Sequence, residues 1–225
     1  MGQYYIAANI DKEECASSYD FDNGAKLMEH SWRGNNYVGF VEMLLMPGNS
    51  WHKNKIVWAG DYMDDCLFIE PSEINPDQFC DTNLYECACL YYTSIFSEEK
   101  IKPAILIALS QLTTGEDFLI DFSLSGQKDI FGQSFCDICR SVFDEFTFLV
   151  NHTTKEYVNK SKCINIEGWV VHPLPLLTAS GNGRGGGDYR DSDDMMVGAW
   201  AGHNISVEKE KPEGYKETYV SFTRD

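Results

Sequence analysis

The run Phe146-Thr147-Phe148-Leu149-Val150-Asn151-His152-Thr153-Thr154-Lys155-Glu156-Tyr157-Val158 decides the fold class. Aromatic and β-branched residues stand on both sides of a polar, Asn-led turn, which is the composition of two strands joined as a hairpin. The chain therefore builds antiparallel sheet. Upstream, Asn36 to Met46 has a different period: Val38, Val41, Leu44 and Leu45 recur at helical spacing, Asn35 or Asn36 can cap the start, and Pro47-Gly48 ends the run. Sheet and helix are both present, in separate stretches.

Strands are expected at Tyr4 to Ile10 and Lys55 to Trp58, and Ala25 to Trp32 reads as a further strand or a short helix. Asn83 to Ile95 is a second helix, and Ile101 to Ser110, preceded by the polar Glu98 to Lys102, is a third element of open type. Phe118 to Phe122 alternates as a strand does. Trp169 to His172 reads as a strand stopped by Pro173 and Pro175, because proline cannot donate to a ladder. Val197 to Trp200, Asn204 to Val207 and, after the turn at Pro212-Glu213-Gly214, Thr218 to Phe222 complete the set. The expectation is one α+β domain over residues 1–225. It has a mixed or mainly antiparallel sheet, two or three helices and a strand-rich C-terminal half.

Charge narrows the classes of function. Thirty-five acidic residues against 18 basic give a formal charge of −17, spread from Asp11, Glu13 and Glu14 to Asp191, Asp193 and Asp194. Binding nucleic acid through its phosphates requires clustered lysine and arginine, so direct nucleic-acid binding is not expected. Dispersed acid is ordinarily a solvated surface, and it also suits docking on a basic partner protein. No apolar run approaches the length of a membrane span, and the N-terminus lacks a basic flank followed by an apolar core. A cytoplasmic protein without membrane contact is expected.

Eight cysteines in a chain of this length and presumed compartment are expected as reduced thiols. Cys87 and Cys89 form a C-x-C pair and Cys136 and Cys139 a C-x-x-C pair, four thiolates that one zinc ion would accept. Against that, Leu84 to Tyr91 reads as a buried helix in which cysteine is a small hydrophobe, and no thioredoxin-like context surrounds Cys136. The expectation is no metal and no cofactor.

The segment least like core, helix or strand is Gly181-Asn182-Gly183-Arg184-Gly185-Gly186-Gly187-Asp188-Tyr189, in which five of the first seven residues are glycine. Such a cluster costs backbone entropy, and it is expected where positive φ or close backbone approach is needed. One reading is a ligand loop. Successive amides form a concave nest, Arg184 supplies a charge-assisted fork, Asn182 reads a polar edge, and Asp188, Tyr189 and Arg190 line the rim, with His172 nearby. The ligand would then be a nucleotide or another small anion. The plain alternative is a surface turn with Arg184 solvated. Gly181, Gly183 and Gly186 match G-x-G-x-x-G spacing without the strand-then-helix context that fingerprint needs. An enzyme reading uses His172 or His203 as general base with Asp188 or Asp61 as its orienting carboxylate or a metal ligand, but no hydrolase or metalloprotease motif accompanies them. Non-catalytic binding is therefore the expected function.

A short echo joins two distant places: Val57-Trp58-Ala59-Gly60-Asp61 returns as Ala199-Trp200-Ala201-Gly202-His203. Both tryptophans are expected to anchor the core. Taken together, Met1-Gly2-Gln3-Tyr4-Tyr5, Lys26-Leu27-Met28-Glu29-His30-Ser31-Trp32, Trp58-Ala59-Gly60-Asp61-Tyr62, Leu149-Val150-Asn151-His152-Thr153, His172-Pro173-Leu174-Pro175-Leu176-Leu177-Thr178, the glycine segment and Val197-Gly198-Ala199-Trp200-Ala201-Gly202 span nearly the whole chain. In them the sequence resembles an uncharacterised family of small proteins encoded by gut bacteria and their phages. The resemblance implies a single continuous domain in a mobile-element accessory protein, acting on host defence. It brings no activity with it.

Overall fold

The computed structural model of the protein describes residues 2–64, 67–68, 83–113, 133–163, 168–182 and 196–220. The hairpin forms as its sequence requires: β5 (Phe148–Asn151) pairs antiparallel with β6 (Glu156–Asn159), Asn151 capping the turn by accepting from the amides of Thr153 and Thr154. Around it stand β1 (Tyr5–Asn9), β2 (Glu14–Ser17), β3 (Asn54–Gly60), β4 (Thr93–Ser94), β7 (Ala179–Ser180), β8 (His203–Glu208) and β9 (Lys216–Glu217). These nine strands make one sheet, eight of them in the order β4-β2-β1-β3-β8-β5-β6-β9 and the ninth, β7, pairing with β3 off that path. Strands β2 and β4, β6 and β9, and β3 and β7 run parallel, and the other pairings are antiparallel. The class is α+β with a mixed, mainly antiparallel sheet.

Helix α2 (Asn36–Leu44) is the centre of the molecule. Asn35 caps it through the amides of Tyr37 and Val38, and every residue from Tyr37 to Leu44 is buried. A helix apolar all round belongs inside a protein, and here it lies between the sheet and further helices. Among those are α4 (Glu98–Gln111) and α5 (Gln133–Glu145), together with α6 (Pro173–Thr178). Ala7, Ile56, Trp58, Leu149, Val158, Ile205 and Val207 face this layer from the sheet. The other face, through Ile6, Ala8, Val57 and Ala59, is covered by α3 (Leu84–Tyr91). A one-turn helix, α1 (Leu27–His30), closes one end.

Helix α2 is also tied to the sheet by a hydroxyl. Tyr37 Oη accepts from the amide of Ala7 at 2.9 Å and donates to the carbonyl of Ala16 at 2.9 Å, inserting between paired residues of β1 and β2. Replacing Tyr37 with Phe strands a buried donor and a buried acceptor. The expected loss is about 1–3 kcal/mol of unfolding free energy, read from urea denaturation. A loss below about half a kcal/mol would show that the two strands close the gap themselves.

Several expectations are corrected. Six α-helices occur among the described residues, where two or three were expected. Pro173 and Pro175 do not merely stop a strand: Pro173 opens α6, because its fixed φ suits a first helical turn and its missing amide hydrogen is no loss there. Trp169 to His172 contributes a single bridge, Val171 to Trp32, in place of a strand. Val197 to Trp200 is a turn, since Gly198 sits at φ +77° and a Cβ there would stand 2.6 Å from the carbonyl oxygen of Ala179. Ile101 to Ser110 lies within helix α4, and Asn83 to Ile95 is helix only to Tyr91. Among the described residues the final strand is Lys216–Glu217, and residues 218–220 are not strand. The strand expected at residues 118–122 lies outside the described residues, as do the last two residues of the one expected at 218–222.

Candidate functional site

Strands β7 and β8 divide one edge of β3 between them. Trp58 and Ala59 pair with β7, and Asn54 to Ile56 pair with β8. The glycine segment lies in the connection between these two strands, residues 181–202, whose flanking strands both pair with β3. On the first side, Gln3 and Asn182 form a reciprocal pair: Gln3 Nε2 donates to the carbonyl of Asn182 at 3.0 Å, and the amide of Asn182 donates to Gln3 Oε1 at 3.0 Å. Tyr5 Oη also donates to Gln3 Oε1, at 3.3 Å. A Cβ at Gly181 would lie 2.2 Å from that oxygen and 2.8 Å from Tyr5 Oη, so a side chain there would displace the Gln3 amide from this pair.

On the second side the chain returns against α6. The amide of Gly198 donates to Leu176 O at 2.8 Å and that of Trp200 to Leu177 O at 2.7 Å. Both ends of the connection therefore rest on α6 and β7. Of the residues expected at the ligand, Asn182 is at this base. Residues 183–189 (Gly183, Arg184, Gly185, Gly186, Gly187, Asp188 and Tyr189) lie outside the described residues, as does Arg190.

His172 is elsewhere than at a ligand surface. It is 1% exposed, its Nδ1 accepts from the amide of Leu174 at 3.4 Å as the cap of α6, and its Nε2 donates to Glu42 Oε2 at 2.8 Å. The other oxygen of Glu42 is paired with Lys160 Nζ, and both of those side chains are fully buried. Phe143 covers the group, its ring 5.0 Å from the His172 ring and 4.6 Å from Lys160 Nζ. Burial works to raise the Glu42 carboxyl, but Lys160 and His172 outweigh it and hold Glu42 below the ordinary range. Burial lowers His172 too, against the pull of Glu42. Burial lowers Lys160 as well, against the pull of Glu42, so the directions favour an ion pair beside a neutral imidazole, packed beneath the helix that precedes the glycine segment.

Of the residues of the enzyme reading, Asp188 lies outside the described residues, and His172, His203 and Asp61 do not converge. His203 opens β8 opposite Ile56, its Nδ1 2.8 Å from Asn151 Nδ2, and burial lowers it against the pull of Glu156. Asp61 follows Gly60 at the far end of β3, about 17 Å along the strand at ordinary strand rise, where its carboxylate accepts from the amide of Tyr4 at 3.0 Å. Nor do the two cysteine pairs meet. Cys87 packs on the α3 side of the sheet and Cys139 on the other, against α2 at Gly39. No group of three or more candidate metal ligands occurs among the described residues.

Two arrangements were not read from the sequence. One is the Glu42–Lys160–His172 cluster. The other is a directed chain of hydrogen bonds: Tyr215 Oη to His152 Nδ1 at 3.0 Å, His152 Nε2 to Ser206 Oγ at 2.8 Å, and Ser206 Oγ to Glu208 Oε1 at 2.7 Å. His52 Nε2 meets the same Glu208 oxygen at 3.1 Å. Ser206 is fully buried, so the chain offers no nucleophile. It pins the C-terminal arm, residues 209–220, to β8. That arm forms one wall of a cleft of about 430 Å³ whose opposite wall is the turn from Met196 to Trp200.

None of the family models, curated proteins or solved structures compared with this chain matches it.

Proposed function

We propose that the protein is a non-catalytic binding protein whose glycine segment contacts a small anion, such as a nucleotide, through backbone amides and Arg184. The observation that supports this best is the base of the segment. The reciprocal Gln3–Asn182 pair fixes the backbone where the segment begins, and the chain is held again on α6 at Gly198 and Trp200. Amides and one guanidinium suffice to hold an anion, and no catalytic group is needed. A place in a mobile element's dealings with host defence is compatible with such a binding role.

The test is a thermal-shift panel of nucleotides and cyclic oligonucleotides. We expect at least one to raise the melting temperature of the wild type by several degrees, and Arg184→Ala to lose that rise. A panel without any response would sink the reading.

A second reading, docking on a basic protein, has its own observation. On and beside α3, Tyr19, Leu90 and Tyr91 are 61%, 71% and 56% exposed. Asp20, Asp61 and Glu86 are in their neighbourhood, and burial, followed by nearby Cys89, Asp61 and Tyr19, pushes the Tyr85 hydroxyl up to about 12. Exposed tyrosines among acids suit arginine-bearing surfaces. Association with a basic protein that is lost on Leu90→Lys, in a chain that answers no anion, would put this reading first.

A further inference from the structure

The cleft between the Met196–Trp200 turn and the C-terminal arm has its own chemistry, read from the described residues that line it. Its volume, about 430 Å³, is that of a small-molecule pocket. The two carboxylates that line it are already engaged on both oxygens. Glu156 accepts from Thr218 Oγ1 at 3.2 Å and from Thr154 Oγ1 at 2.8 Å, and Glu217 accepts from Tyr157 Oη at 3.2 Å and pairs with Lys162.

Two lining residues are not engaged. Lys216 stands beside Glu156 across the β6–β9 pairing, yet its ammonium has no ion-pair partner among the described residues. Trp200 is 1% exposed and its indole N–H, buried, has no hydrogen-bond partner among the described residues. A buried donor left unpaired costs about 1–3 kcal/mol, so a protein that keeps one there gives up stability. Both free groups are donors, and one is a cation. What completes them is an anionic acceptor. Around them stand Met196, Ala199 and the ring of Tyr219, over which Lys162 Nζ lies at 5.0 Å.

We infer that this cleft binds a small anion carrying a planar ring, its carboxylate or phosphate received by Lys216 and the Trp200 indole N–H and its ring lying against Tyr219 and Met196. The indole N–H is shielded from solvent in the free protein, so seating an oxygen on it shifts the side chains above it. Met196 and Tyr219 both stand outside helices and strands, where such a shift is least opposed. The site does not depend on the glycine segment binding anything itself.

The indole N–H is its own reporter. In ¹H–¹⁵N spectra of the full chain, the Trp200 indole signal is assigned as the one missing from Trp200→Phe, and inorganic phosphate, AMP and benzoate are titrated in turn. AMP or benzoate is expected to move the Trp200 signal saturably while the Trp51 and Trp58 signals stay in place. Lys216→Gln, a change on a two-residue edge strand, is expected to weaken that response about tenfold or more. Benzoate alone would name a carboxylate ligand, and AMP alone a phosphate ligand. The same titration in Arg184→Ala keeps its response if the cleft is a site of its own. A Trp200 signal unmoved by all three probes at millimolar concentration overturns the inference, as does a response to phosphate alone or a Lys216→Gln variant that titrates like the wild type.

Discussion

Lys160→Met is expected to destabilise the protein by about 3–5 kcal/mol, the usual consequence of removing one member of a buried ion pair. Lys160 and Glu42 are both fully buried, and α2, buried from Tyr37 to Leu44, carries no other charge. Without the ammonium, Glu42 keeps only His172 as a partner in a site without water contact. It then relaxes by taking up a proton or by protonating His172. Either route makes the folded variant bind a proton that the wild type does not, so the deficit should shrink as pH falls from 7 toward 5. Urea denaturation at both pH values reads this directly. The double variant Glu42→Gln with Lys160→Met keeps an acceptor for His172 and removes both charges, so most of the stability should return. A single variant with wild-type stability at pH 7, or one whose deficit widens on acidification, would mean that Glu42 is not held ionised by Lys160.

That cluster marks where the sequence stops being readable. Glu42 and Lys160 are 118 residues apart and Glu42 and His172 are 130 apart, and no local pattern links them. His172, before a proline and near a glycine run, reads as a ligand residue. One partner, the amide of Leu174, is local, but Glu42 and Phe143, which bury it, come from two other elements. By contrast, the hairpin at 146–158 and helix α2 were legible because turn chemistry, capping and hydrophobic period all agree over a short window. Helix α5 was legible in principle. Phe135, Ile138, Cys139, Val142 and Phe143 are buried at helical spacing, but the C-x-x-C pair drew attention to metal chemistry while Cys139 was serving as packing against α2. The Trp-Ala-Gly echo gave two anchors correctly, since Trp58 and Trp200 are both buried, yet the two copies differ in form. The first ends a strand, and the second is a turn whose positive-φ Gly198 the strand reading did not provide for. The position of the Trp200 donor, and hence the cleft, follows from that turn.

Acidification should weaken the wild type well above the pH at which carboxylates protonate, and His30 is the main reason. Its ring is fully buried and both nitrogens are committed: Nδ1 donates to Gly24 O at 3.1 Å and Nε2 accepts from the Trp58 indole N–H at 3.0 Å. A second proton has to displace the Trp58 bond and bring a charge into the core. Burial, partly offset by the bond to Gly24, lowers His30 from 6.5 to about 4. In the unfolded chain it titrates at its ordinary value, so between about pH 6.5 and 4 the unfolded state holds the extra proton and folding stability falls with pH. Integrated over that window the loss is about 3 kcal/mol, all of it present by about pH 4 and none above about pH 7.5. His172, lowered in the same sense, adds to the slope. Glu42, held below its ordinary value, contributes stability that is complete only above about pH 4.5 and disappears as pH falls further. Two measurements check the order of events. Denaturation midpoints taken from pH 7.5 to 4.5 should decline throughout that range, and the His30 ring in the folded protein should show no titration above about pH 5. A His30 ring that titrates near 6.5 in the folded state would mean that the Trp58 bond does not hold the imidazole neutral.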